Sequence, residues 1–279
     1  MFQFRAWFWN SNRQPTTGNR QLPMLHWYIY PLLILTGILV GFINTLAGSG
    51  SLISLPLLMY IGLPANVANG TNRVAILLQS MVGAGSFRNQ KVIEFKEGIW
   101  LSVPAVVGSV IGAMLAVDLN ELMMRRMIGI LMIVMFFLII LKPESWIRGH
   151  AGKLREKPTF WQILIFFGIG LYGGFIQAGV GFFLLAGLVM GAGMNLMKAN
   201  AFKNLIVALY TPFALIVFIF NNQVNWIVGL TLAAGNMIGA FIAAKVAVKR
   251  GTKFIQIILL IVLFAASMDL LGVFRWIFS

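Results

Sequence analysis

The chain has 279 residues, 59% of them hydrophobic and 10% charged, and a formal net charge of +14. An apolar share so far above that of a soluble domain excludes water as the main solvent, and the lack of any Cys excludes disulfides, thiolate metal sites and thiol chemistry. The positive charge reads as loop charge of a membrane protein; no soluble module offers the basic face that nucleic acid would need.

Residues 1–27 carry Arg5, Trp7, Trp9, Arg13 and Arg20 with no apolar core before a cleavage site, and read as an interfacial tail with rings at headgroup depth. Apolar segments follow at 28–46, 49–63, 66–87, 98–117 and 123–141, a first repeat spanning 28–141. A linker at 142–160 gathers Lys142, Glu144, Arg148, Lys153, Arg155, Glu156 and Lys157. Five more segments, 161–177, 180–194, 197–220, 226–247 and 254–277, make a second repeat within 161–279. Hydrocarbon leaves each backbone polar group in need of an internal partner, and these runs lack the alternation of barrel strands, so they are helices. The fold class is therefore all-α: a polytopic integral membrane protein of about ten segments.

The halves resemble each other. Gly41-Phe42-Ile43-Asn44 matches Gly174-Phe175-Ile176-Gln177, and Gly50 precedes Asn69 by the same interval that separates Gly181 from Asn200. In that register Asn72-Arg73 falls on Lys203-Asn204, and Gln79 on Tyr210. Loop charge makes the repeats inverted: 88–97 carries Arg88, Lys91 and Lys96 while its counterpart 221–225 is uncharged, and the basic member of the next pair is 245–253. Loops 88–97, 142–157 and 245–253 then lie in the cytoplasm. Segments 49–63 and 180–194 give only about 22 Å of helix and start at glycine clusters, which predicts helices that break or re-enter near the midplane.

Arg73 lies inside an apolar segment, where an unpaired charge costs at least ~2.5 kcal/mol. Asn66, Asn69, Arg73 and Ser80 share one helical stripe with Asn72 beside them, and Asn200, Lys203, Asn204 and Thr211 repeat it. No acidic residue lies in a segment near either stripe, and Asp269, the lone intramembrane carboxylate, reads as a helix-packing or boundary residue. A substrate anion would balance the two cations. The helix starts at Gly48-Ser49-Gly50-Ser51 and Gly179-Val180-Gly181 offer backbone N–H groups to the same ligand, with Asn44, Thr45 and Gln177 just before the breaks. The candidate substrate site is thus Asn44, Thr45, Gly48, Ser49, Gly50, Ser51, Asn69, Asn72, Arg73, Gln177, Gly179, Gly181, Asn200, Lys203 and Asn204. No catalytic motif, metal cluster or nucleotide loop is present, so the reading is not an enzyme and calls for no cofactor and no metal.

The stretches Asn44 to Ile53, Ala68 to Arg73, Gly173 to Gly181 and Ala199 to Lys203 resemble the TauE/SafE family of sulfite and organosulfonate exporters over about residues 28–275, with Gly48-Ser49-Gly50 where that pattern reads Gly-Gly-Gly. The resemblance implies a multi-pass permease of a bacterial inner membrane associated with sulfite, sulfoacetate and related sulfur-containing anions. Together with the inverted repeats and the candidate site, it gives the reading of a secondary transporter that exports a small sulfur-containing anion such as sulfite or a sulfoacetate-like organosulfonate, by alternating access around a midplane site. An anion channel and an anion-sensing membrane subunit are the alternatives. The expected partners are a small anion and membrane lipid, not nucleic acid; small-residue faces are also compatible with a homo-oligomer.

Overall fold

A computed structural model describes residues 27–93, 95–141 and 159–270, except for the side chains of 95–98, 133, 135–141 and 251–270. The tail before residue 27, the linker residues 142–158, the Asp269 side chain and residues 271–279 lie outside that description. In chain order the helices are α1 (Ile29–Ala47), α2 (Ser51–Tyr60), α3 (Ala65–Asn89), α4 (Phe95–Val117), α5 (Glu121–Leu141), α6 (Phe160–Phe175), α7 (Val180–Ala186, continued as a π turn over Gly187–Gly191), α8 (Leu196–Phe220) and α9 (Trp226–Leu270). The described residues are all helix and connecting turns, as expected of a polytopic membrane protein. Four stretches, Ile29–Ala47, Ile99–Val117, Leu196–Phe220 and Trp226–Arg250, are long and apolar enough to cross a bilayer.

One boundary differs from the sequence reading. The segment expected at 226–247 and the described part of the one expected at 254–277 form a single helix, α9, which runs through 245–253 without a loop. Lys245, Lys249 and Arg250 are good helix formers, no proline interrupts them, and one glycine at 251 costs only about 1 kcal/mol. At about 68 Å, α9 is more than twice the thickness of a hydrocarbon core.

Glycine contacts fix the helix directions. Gly37 and Gly41 meet the α9 backbone at Leu232 and Asn236, and Gly239 meets Ile38 and Phe42, so α1 and α9 run parallel. Gly108 meets Phe167 and Gly112 meets Leu171, so α4 and α6 also run parallel. These interfaces correspond: a Cβ on Gly41 would overlap the Asn236 carbonyl, and one on Gly174 the Ser109 carbonyl. In contrast, α3 and α8 are antiparallel, since Gly70 lies against Phe218 and Gly83 against Asn204. The close approaches of backbone to backbone are the membrane counterpart of a packed core, because lipid offers no hydrophobic drive between helices.

The short helices turn back. Leu33 of α1 shares a buried cluster with Leu58 at the end of α2 and Leu63 beyond it. At the opposite end, Phe166 of α6 lies against Gly187 beyond α7, and the Gln162 amide donates to the Gly191 carbonyl at 2.8 Å. Each pair is a helical hairpin whose tip lies inside the bundle. Helix α3 is too polar to face lipid, and Asn69, Thr71, Asn72 and Arg73 are all fully buried by its neighbours.

Replacing Gly174 by Val should lower the thermal unfolding midpoint of the detergent-purified protein by the equivalent of about 1–3 kcal/mol, because α4 and α6 must move apart. Gly168→Ala, where an added Cβ meets nothing within 4 Å, is the control and should leave the midpoint unchanged or slightly raised.

Candidate functional site

Both hairpin tips are built on glycines in the left-handed region, Gly48 at φ 77° and Gly179 at φ 70°. Gly48 ends α1, its N–H bonded to the Asn44 carbonyl at 2.9 Å. The other tip is longer: Ile176 is extended, and the Tyr172 hydroxyl donates to the Ala178 carbonyl at 2.6 Å to hold the break open. The tips cross at Gly48 and Gly181, whose backbones approach so closely that a Cβ on either would overlap the other.

The two buried cations serve the broken helices. Lys203, 2% exposed, donates to the Asn44 carbonyl (2.9 Å), the Thr45 carbonyl (2.7 Å) and Asn200 Oδ1 (2.7 Å). Its three N–H groups are thereby all used. Arg73, fully buried, donates to the carbonyls of Gly173 (2.9 Å), Gly174 (2.6 Å) and Phe175 (3.4 Å) and to Gln177 Oε1 (3.3 Å), while its guanidinium stacks 4.5 Å from the Phe218 ring centre. Only its Nε lacks a protein partner. These carbonyls lie at the C-terminal, negative ends of α1 and α6, and all but that of Asn44, which also accepts from Gly48, lack a backbone donor. Each cation belongs to one half of the chain and caps a broken helix of the other. The sequence reading leaves both cations to a substrate anion; in the structure helix-end carbonyls already hold them, although neither has an acidic partner among the described residues.

A small cavity opens beside the crossing. It is lined by Asn44, Gly48, Ser51, Gln177, Gly181, Lys203 and Asn204, which the sequence reading includes, and also by Gln79, Ser80 and Tyr210, with Ile76, Val180 and Val207 as its apolar wall. The centre of a water can occupy about 20 Å³ of it, room for one or two waters. Among the described residues no acidic side chain lines it.

The remaining predicted residues stand behind this wall. The Asn69 amide donates to the Phe175 carbonyl at 2.8 Å, and Asn72 Oδ1 accepts from the Ser54 hydroxyl at 2.7 Å. Asn200 and the Thr45 carbonyl hold Lys203, and Gly50 packs on Val40 and Asn44. Ser49, Gly179 and Arg73 likewise lie outside the lining. Gln79, Ser80 and Tyr210 are the polar lining residues that the sequence reading leaves out of the site, although its repeat register pairs Gln79 with Tyr210. The Asn236 amide donates to Gln79 Oε1 at 3.1 Å, which turns the Gln79 NH₂ toward the cavity, and the Gln177 amide donates to the Tyr210 oxygen at 3.3 Å, which leaves the Tyr210 O–H to donate.

A family model described as "Sulfite exporter TauE/SafE" matches residues 33–270. Among curated relatives, a "Probable membrane transporter protein ORF9" of Sinorhizobium sp is 29% identical over 89% of this chain and 94% of its own length. A "Probable membrane transporter protein YfcA" of Escherichia coli (strain K12) is 30% identical over 86% of this chain and 88% of its own, and a "Probable membrane transporter protein" of Haemophilus influenzae is 26% identical over 84% and 91%. No solved structure matches the chain.

Replacing Arg73 by Met should strand four acceptors and destabilise the protein by on the order of 3 kcal/mol, read as a lower unfolding midpoint without any ligand. An unchanged midpoint would show that the α6 carbonyls do not depend on this side chain.

Proposed function

The chain belongs to the sulfite exporter TauE/SafE family, and from that membership we propose that this membrane transporter is a secondary carrier that exports a small sulfur-containing anion such as sulfite or a sulfoacetate-like organosulfonate. The observation that carries the reading is the cavity at the crossing of the two hairpins, which holds one cation, several uncharged donors and no carboxylate. Lys203 supplies charge there without supplying a hydrogen bond, since its own are spent. Hydrogen bonds to the anion's oxygens come from the Gln79 and Asn44 amides and the hydroxyls of Tyr210, Ser51 and Ser80. The backbone of Gly48 and Gly181 stays open to a ligand because neither carries a side chain.

The corresponding glycine interfaces and the antiparallel α3 and α8 support two inverted halves, and the basic residues at the end of α3 and within α9 at 245–253 support a cytoplasmic placing of one face of a multi-pass protein in the inner membrane. With room for only one or two waters, the cavity is closed to a sulfite ion until the hairpins part. That closure favours a carrier with alternating access over a standing channel. Arg73, Asn69 and Asn200 act in this scheme by holding the tips, and the anion's negative charge leaves a cell downhill on a negative-inside potential at ~2.3 kcal/mol per 100 mV.

The test is thermal stabilisation of the purified protein by sulfite, sulfoacetate, sulfate, taurine, phosphate and chloride, followed by flux into liposomes. Sulfite or sulfoacetate should raise the midpoint, and Tyr210→Phe should weaken sulfite binding roughly tenfold or more while leaving the ligand-free midpoint near its original value. A protein that responds to no anion in the panel, and carries none in liposomes, would refute the proposal.

A further inference from the structure

We propose that Lys203 and Arg73 are built-in cations occupying the two carbonyl cages at the ends of α1 and α6, so that anion movement through this protein needs no sodium ion. The transport part rests on the carrier reading above; the occupancy of the cages rests on the geometry alone.

In carriers built from broken helices, the unwound carbonyls and the negative C-terminal ends of half-helices are where a coupling cation sits. Both ends are present here, and both are filled from within the chain. The α1 cage offers the Asn44 and Thr45 carbonyls and Asn200 Oδ1, three acceptors at 2.7–2.9 Å around an ammonium with three N–H groups. At α6 the cage offers the carbonyls of Gly173, Gly174 and Phe175 with Gln177 Oε1, four acceptors for the four terminal N–H groups of a guanidinium. A tethered charge is always at hand, so a free sodium ion would have to displace it and then lie beside a second positive charge. Neither cage contains a carboxylate to bear that extra charge. Because each cation reaches across from the other half, the cages are also the joints that hold the hairpin tips in place. The transported anion then moves with its charge uncompensated, and the membrane potential drives it.

The test compares the full-length protein in sodium and in choline buffers, with sulfite added as the matching salt. The expected result is the same unfolding midpoint in both and a sulfite affinity equal within about twofold; an affinity or a midpoint that rises with sodium beyond that margin overturns the proposal. Lys203→Ala empties the α1 cage, and its lowered midpoint should rise with methylammonium, which restores an ammonium, but not with tetramethylammonium, which has the same charge and no N–H to donate. A Lys203→Ala protein indifferent to methylammonium would also overturn it, and if that variant fails to fold the sodium comparison on the unaltered chain decides. Failure to bind sulfite in either buffer would refute the carrier reading, while the two midpoints would still judge the cages.

Discussion

Two cations must be held in a region of the chain that contains no acidic partner for them, and the structure meets that constraint with helix ends. A carbonyl at the C-terminus of a helix has no intrahelical donor and carries part of the helix's negative pole. Breaking α1 at Gly48 and α6 at Phe175 exposes several such carbonyls in the interior, and each would be costly to bury alone. Lys203 and Arg73 satisfy them. The burial of a charge and the breaking of a helix, each unfavourable by itself, are made tolerable by being placed together.

This pairing ties the halves of the chain to each other. Helix α3 sends Arg73 to α6, and α8 sends Lys203 to α1, while α3 and α8 lie side by side in opposite directions. The glycine contacts between α1 and α9 and between α4 and α6 bring helices of different halves into backbone contact. Neither half could bury its polar stripe alone, since the carbonyls that receive its cation belong to the other. At the point where the tips meet, Gly48 and Gly181 leave no room for a side chain, and the cavity lies against that crossing.

The division of labour at the cavity follows. For the anion proposed above, charge and hydrogen bonding would come from different groups: Lys203 would give a field, and uncharged amides and hydroxyls line the open space. Gln79 and Tyr210, one from each central helix, are held in orientation by Asn236 and Gln177 behind them. In the proposed carrier, a site with this composition would attract an anion and still release it, because no direct ion pair would have to be broken. Reversible binding is what a carrier requires.

The residues near Gly48 and Gly179 could be read as breaks from the sequence because glycine clusters and short apolar runs are local properties, and so could the all-helical membrane class and the polar stripes of α3 and α8. The register that pairs Gln79 with Tyr210 was equally legible, but not its use, because an amide and a phenol in an apolar run look alike whether they pack or bind. The break expected at 245–253 was misread for a related reason: a basic cluster suggests a loop, and nothing in Lys249-Arg250 obliges the helix to turn there. Only the tertiary structure decided which acceptors receive the hydrogen bonds of Arg73 and Lys203, since all of the partners but Asn200 lie a hundred or more positions away in the chain. Sequence alone specified that two cations had to be neutralised in the interior, because charge and periodicity are written along one helix. Which groups neutralise them depends on how helices from different halves meet, and that is settled by close packing between backbones rather than by any local pattern.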